Sequence, residues 1–350
     1  MAGPQGHRRK VEDRAALTRW ICELSDAFGP SGHEAQVRAH LETLLQGTVE
    51  TVRADALGNL IGRRPGPGRR LLMLVPMDEA GAALTHVDAA GRGWLAGLGP
   101  LDPASLVGGR LRLASGQVAV VGVRPRRASD ANGIPWARLY LDLGGAAAAA
   151  GAVIGTGDAA VPDVAARVLP GGAACGRAMA SRAACAAAVT ALHATRGDTA
   201  GVDLTVAFVV QGELGQRGVR PVVASCPADW VVAVGGVAAT DTPGARGADV
   251  RLGGGACLVV QDDGLVAPPP ALDALTAAAQ RAGRSLQAAV GDGGTSAAGP
   301  ALQAAGGAPA GALALPVRYR HTPVEVVEPA DAAALVDVLV ALWRESTTVG

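Results

Sequence analysis

The sequence is poor in the residues by which many functional sites are recognised. Only 3% of its 350 residues are aromatic. The five cysteines, Cys22, Cys175, Cys185, Cys226 and Cys257, are odd in number, widely spaced and never form a C-x-x-C pair. That argues against a zinc knuckle and reads as reduced thiols serving as small apolar core residues. Neither charge is in excess: Lys+Arg and Asp+Glu are 31 each, without the basic surplus of a nucleic-acid binder. Although 49% of residues are hydrophobic, no apolar run reaches the ~20 residues of a transmembrane helix. The opening MAGPQGHRRKVEDR lacks the apolar region of a signal peptide. These absences lead us to expect a cytoplasmic chain with no nucleic-acid or membrane partner. Low net charge leaves little self-repulsion, which is compatible with oligomers.

What is present centres on Arg69–Gly81, RRLLMLVPMDEAG. Leu71–Met77 is uninterruptedly apolar, the pattern of a strand buried on both faces of a parallel sheet. Asp78 and Glu79 follow at once, at a strand's carboxyl end, where open α/β sheets collect their chemistry.

In chain order, residues 1–10 read as a disordered tail, and Val11–Phe28 as a helix stopped by Gly29-Pro30. Ser31-Gly32-His33-Glu34 has the form of a capping box opening a helix to about Leu45. Two strands, Val49–Arg53 and Asn59–Arg63, precede the opening strand. From about Ala82 to Gly172 short strand-like runs with turn signals (Leu84–Val87, Arg110–Leu113, Gln117–Val123, Leu139–Leu143) predict a compact β-rich insert. The run AAAAAGA at 147–153 reads as a short helix. An Ala-rich helix Met179–Thr195 then restores α/β texture. Strands follow at Val202–Val210, Trp230–Val234, Ala256–Gln261, Leu286–Val290 and Ala312–Leu315, with helices at Pro270–Ala282, after Thr295 and at Pro329–Glu345. The expected domains are an α/β body over 11–81 and 173–350 and an insert over 82–172.

From about Leu24 to Ala341 the sequence resembles metallopeptidase family forty-two, the dinuclear-metal aminopeptidases that include tetrahedral and glutamyl aminopeptidases. The motifs are LSDAFGPSGHE (24–34), DALGNLIG (55–62), MDEAG (77–81), THVD (85–88), QGELGQRG (211–218), DTPG (241–244), GDGGTSA (291–297) and RYRHTPVEVV (318–327). The resemblance implies a zinc-peptidase-like α/β fold, a mixed sheet flanked by helices. It also implies an inserted β-rich domain of dimerisation type and assembly into homo-oligomers. Its chemistry needs two divalent ions, zinc or cobalt, a bridging carboxylate, and a Glu as general base on the attacking water.

Carried over position by position, most of that set is missing. The first His ligand falls on Pro76, the bridging Asp on Ala180, the base on Gly212 and the strand-end Asp on Gly235. Glu213 and His321 remain as ligand positions, and the Asp expected after the glycines is Ser296. Each metal of such a site takes several protein donors, and general-base catalysis alone is worth about 10²–10⁴-fold. Once the cations are gone, clustered carboxylates are a liability, so their joint loss is coherent. Asp78, Glu79, Arg217, Thr295 and Ser296 are the expected polar remnants of the cleft. Gly291–Gly294 gives a weak anion-cradle signal.

The leading expectation is thus a catalytically inactive homologue with no metal cofactor. It would have a structural or regulatory role, or bind a peptide or small molecule in the old cleft. Its partners would be copies of itself or an active paralogue. The alternative is a divergent metallo-aminopeptidase that releases N-terminal residues using two divalent ions held by other ligands.

Overall fold

The computed structural model describes residues 4–125, 133–144, 154–199, 201–245, 249–291, 296–304 and 308–345, with side chains from Arg14 onward. Helix α1 (Pro4–Asp26) starts inside the segment expected as a tail, and α2 (Ala35–Leu45) follows. The hairpin β1 (Thr51–Ala54) and β2 (Leu60–Arg64) leads into β3 (Arg70–Pro76). Six strands come next: β4 (Gly81–Val87), β5 (Gly93–Leu98), β6 (Arg110–Leu113), β7 (Val118–Val123), β8 (Leu139–Asp142) and β9 (Ala159–Pro162). After β10 (Arg167–Val168) and β11 (Ala174–Gly176) come α3 (Met179–Ala194), β12 (Asp203–Val209), α4 (Val219–Ser225), β13 (Trp230–Ala238) and β14 (Cys257–Gln261). The chain ends with α5 (Pro269–Arg281), β15 (Gln287–Val290), α6 (Ala298–Ala304), β16 (Ala310–Val317), β17 (Glu325–Val327) and α7 (Pro329–Trp343).

Eight strands form one mixed sheet in the order β1-β2-β12-β3-β13-β16-β14-β15. β3 lies between parallel neighbours β12 and β13, with Val206 opposite Met73 and Val232 opposite Met73. That explains its unbroken apolar run, since Leu71–Val75 is buried on both faces. One face packs against α1, α3 and α7, and the other against α4 and α6. From Met179 to Leu192 every residue of α3 is buried. Alanine on that helix lets strand and helix approach closely: a β-carbon built on Gly236 would lie 2.7 Å from Ala180 Cβ.

Strands β4–β9 close into a barrel in the order β4-β5-β8-β7-β6-β9 around a separate core of Leu84, Leu95, Leu111, Val121 and Leu141. The barrel spans 81–162 of the insert expected over 82–172. β10 pairs instead with β11, and β11 with β17, in a separate three-stranded sheet. Strands β5 and β9 carried no clear sequence signal. The helix expected at 147–153 lies outside the described residues.

Candidate active-site cleft

The carboxyl end of β3 is anchored before any functional group appears. Met77 N–H donates to Val209 O at 2.9 Å, and the buried Arg182 guanidinium donates to Met77 O. Asp78, fully buried, then points its carboxylate at the turn after β12. Its Oδ1 accepts from Gly212 N at 2.8 Å, and its Oδ2 from Glu213 N at 3.0 Å and from Ser31 Oγ at 2.5 Å. Burial pushes the Asp78 carboxyl upward against the pull of the Ser31 hydroxyl and the two amides. The capping box expected at 31–34 therefore does not form. Ser31 serves Asp78, while Glu34 accepts from Gly32 N at 2.8 Å and from Gln211 N at 2.9 Å. The residues before α2 thus brace the cleft rather than cap a helix.

Glu79 is buried between two guanidiniums, Arg177 and Arg182, each at 3.1 Å. It also accepts from Gly29 N at 3.0 Å, and Arg177 donates to the carbonyls of Ser25 and Asp26. This ion triplet ties α1, α3 and the end of β3 into one floor.

Glu213 and His321 come together above it. Glu213 Oε2 and His321 Nε2 are 3.8 Å apart, beyond hydrogen-bond length. Among the described residues His321 Nε2 is buried without a hydrogen-bond partner. Burial, then Asp78, raises the Glu213 carboxyl to about 7, and burial, then Arg320, lowers the His321 imidazole to about 4. Near neutral pH the pair is a neutral imidazole facing a carboxyl that is easily protonated. His321 sits at φ +63°, and its amide donates to Glu325 Oε1 at 2.9 Å. Glu325 Oε2 accepts from Ala180 N at 2.9 Å, locking the His321 turn to the start of α3.

A cavity of about 430 Å³ opens here and runs back between β13, β14 and β16. It brings Pro76, Ala180, Gly212, Glu213, Gly235, Ser296 and His321 onto one wall system. Ser296 donates its amide to Asp262 Oδ2 at 2.8 Å, and its Oγ is buried without a hydrogen-bond partner among the described residues. Asp78 and Glu79 lie behind the wall. Arg217, expected in the same polar shell, is exposed and does not line the cavity; it follows the tight turn whose inward side belongs to Gly212 and Gln216. Thr295 and residues 292–294 lie outside the described residues. Among the described residues no group of three His, Cys, Asp or Glu stands where it could hold a metal ion.

Glycine geometry distinguishes positions 212 and 235. A β-carbon on Gly212 would lie 2.8 Å from Asp78 Oδ1 and 2.9 Å from Pro76 Cβ, whereas one on Gly235 would meet nothing within 4 Å among the described residues. The described non-glycine residues with positive φ are Ala178, Gln211, Gln216, Tyr319 and His321. All belong to the segments that shape this cleft, an arrangement that costs backbone energy and is sustained by the surrounding hydrogen bonds.

A mixed sheet under helices, an inserted barrel and a cleft at the carboxyl ends of its strands make this an α/β protein with a site of the open-sheet kind. The family model for M42 glutamyl aminopeptidase matches residues 58–338, and the chain belongs to that family. It is 29% identical over 321 residues to a putative aminopeptidase of Acetivibrio thermocellus, covering 91% of this chain and 96% of that one. Among solved structures it is similar to an aminopeptidase from the archaeon Desulfurococcus kamchatkensis, with TM-score 0.88, 26% identity, and coverage of 95% and 96% of the two chains. It is also similar to the Pyrococcus horikoshii TET1 peptidase, with TM-score 0.84, 25% identity, and coverage of 94% and 99%.

Proposed function

We propose that this chain is an aminopeptidase homologue that has given up peptide hydrolysis and keeps its cleft for binding a peptide or small molecule, or for a structural or regulatory role. The observation that carries the reading is position 212. The general base would stand there, yet a side chain at 212 meets Pro76 and the Asp78 carboxylate. The donor set points the same way. Pro76, Ala180 and Gly235 offer no side-chain ligand, and Asp78 is engaged by three hydrogen-bond donors. Glu213 and His321 remain. In our reading these residues do not fit a two-metal centre, so no hydrolytic step is derived through one.

The strained turns at Gln211 and His321 support a binding role, because a cleft kept only as a relic has no reason to hold them. Among the described residues Ser296 Oγ and His321 Nε2 are buried without hydrogen-bond partners, both residues line the cavity, and a polar ligand that reached these atoms would satisfy them. The remaining features complete the proposal: an α/β body over 11–81 and 173–350, an insert over 82–172, and a cytoplasmic homo-oligomer. The oligomer is inferred by likeness to the Pyrococcus horikoshii TET1 peptidase, which can assemble into a tetrahedron or a large octahedral shell. A mixed oligomer with an active paralogue is the variant of this role.

The alternative is a divergent metal-dependent aminopeptidase, favoured by the name of the Acetivibrio thermocellus relative. It would need donors recruited outside the described residues. The two are separated by elemental analysis of protein purified without chelator, paired with aminoacyl-naphthylamide assays in added zinc and cobalt. Substoichiometric metal and no turnover support the first reading. Two tightly held divalent ions per chain, or metal-dependent release of N-terminal residues, overturn it.

A further inference from the structure

A second cavity, of about 320 Å³, lies at the opposite end of the sheet, where β3 and β12 begin. Along β3, Leu72 of its lining and Pro76 of the cleft are four residues apart, roughly 13 Å of extended chain. Its floor is one face of the outermost strands. The pairings Thr51↔Arg63, Arg53↔Ile61 and Arg63↔Thr205 put Thr51, Arg53, Arg63 and Thr205 on that same face. Arg53 and Arg63 are diagonal neighbours on antiparallel strands, close enough for long side chains to interact, and like charges so placed repel. Ile61 and Leu72 supply the apolar base, and the segment after α4 brings Cys226 over the rim.

The charge balance of this bowl is uneven. Arg70 is committed to Asp229 through Nε at 3.3 Å and a second nitrogen at 2.5 Å. Arg63 gives a single terminal nitrogen to Asp203, at 3.1 Å. Arg53 reaches Cys226 Sγ at 3.7 Å and pairs with no carboxylate among the described residues. Three guanidiniums against two carboxylates leave one positive charge uncompensated, and Thr51 and Thr205 line the same space. A fork-shaped donor is matched by planar or tetrahedral oxyanions.

We propose that this cavity is a binding site for a small polyanion bearing phosphate or carboxylate groups, seated between Arg53 and Arg63 with Thr51 and Thr205 as hydroxyl donors. The site is independent of the cleft and of whether the cleft is active. Pyrophosphate and citrate serve as the two probes, titrated calorimetrically at low ionic strength into the full chain. Saturable binding of either probe, one per chain, is the expected result, and the stronger probe identifies the chemistry. Arg53→Gln and Arg63→Gln should each weaken binding about tenfold, the order of one lost charge-assisted contact. Folding of the variants is avoided as a confounder by a second measurement on the unaltered chain. Pyrophosphate should slow iodoacetamide alkylation of Cys226, read by peptide mass spectrometry, and leave Cys22 and Cys175 unchanged. No saturable binding of either probe, unchanged affinity in folded Arg53→Gln, or alkylation of Cys226 indifferent to the anion would each overturn the site.

Discussion

Gly212 lies hard against Pro76: a β-carbon on residue 212 would stand 2.9 Å from the β-carbon of Pro76. Any residue but glycine at 76 carries that atom, so the crowding of position 212 is set by the end of β3 rather than by the proline ring. Asp78 completes it from behind, since its Oδ1 holds the Gly212 amide at 2.8 Å. A side chain can return to 212 only if the end of β3 changes with it.

The first prediction tests that coupling. Gly212→Ala should lower stability by about 1–3 kcal/mol, the usual cost of forcing atoms into a packed site. In a Pro76→Gly background the same change should cost less, because one of the two obstacles is gone, while the Asp78 oxygen at 2.8 Å keeps the cost above zero. Urea unfolding of the two single variants and the double variant measures the cycle. Strict additivity of the two changes would show that the contact does not constrain the turn.

Asp78 supports the second prediction. Its two oxygens accept three hydrogen bonds from Ser31, Gly212 and Glu213. Asn in its place would turn an N–H₂ group toward an N–H or O–H donor and leave a buried donor unsatisfied. Asp78→Asn should cost on the order of 2–4 kcal/mol and Ser31→Ala about 1 kcal/mol. Chemical denaturation gives both numbers, and a larger loss for Ser31→Ala would reverse the assigned hierarchy.

Much of this fold is legible in the sequence because its signals are local. The uninterrupted Leu71–Met77 run, the Ala-rich stretch from Met179 and the helix opening near Pro329 all lie where burial on both faces or helical spacing predicts them. Two kinds of feature escape. Strand β5, GWLAGL, carries glycines that lower its strand signal, although its register beside β4 makes room for them: Trp136 fills the space over Gly97. The second kind is tertiary. Ser31 and Glu34 have the right types and spacing for a capping box, but their acceptors and donors, Asp78 and Gln211, lie 47 and 177 residues away. Glu325, which ties Ala180 to His321, sits in a quoted motif without any local mark of that role. Pro76, Ala180, Gly212 and Gly235, expected from sequence to stand where ligands and base would, share one cavity. Their unequal room was not visible before the backbone was.

Asp331 gives a pH prediction. It lies in the first turn of α7, almost fully buried, and accepts from Gly253 N at 2.8 Å and Gly255 N at 2.7 Å. Burial nonetheless raises its carboxyl from 3.8 to about 6. Between those two values the folded chain holds a proton that the unfolded chain has released. The Asp331 contribution to stability is therefore full below about pH 4, falls as pH rises to about 6, and is flat above it. Asp331→Asn removes this dependence. Thermal melts from pH 4 to pH 8 should show the variant gaining on the wild type across pH 4–6 and holding a constant difference beyond. A difference that moves the other way in that window would mean that the two glycine amides outweigh burial.

The last prediction sets two adjacent glycines against each other. Gly235 and Gly236 sit together on β13, and successive residues of a strand face opposite sides of its sheet. A β-carbon on Gly236 would lie 2.7 Å from Ala180 Cβ and 3.0 Å from Ala180 Cα, so the α3 helix itself would have to move. At Gly235, which lines the cavity, a β-carbon meets nothing within 4 Å among the described residues. Gly236→Ala should accordingly lower stability by about 1–3 kcal/mol or more, because no flexible side chain can yield. Gly235→Asp should leave stability within about 1 kcal/mol, its carboxylate having room and solvent access. If the cleft no longer holds a dinuclear metal centre, that added carboxylate brings no tight divalent ion, since Pro76, Ala180 and Gly212 still lack donors. Zinc and cobalt titrations of folded Gly235→Asp should then match the parent chain. Stoichiometric uptake by this single variant would instead show that the rest of a metal site had been standing ready, and would move the assignment back toward a working peptidase.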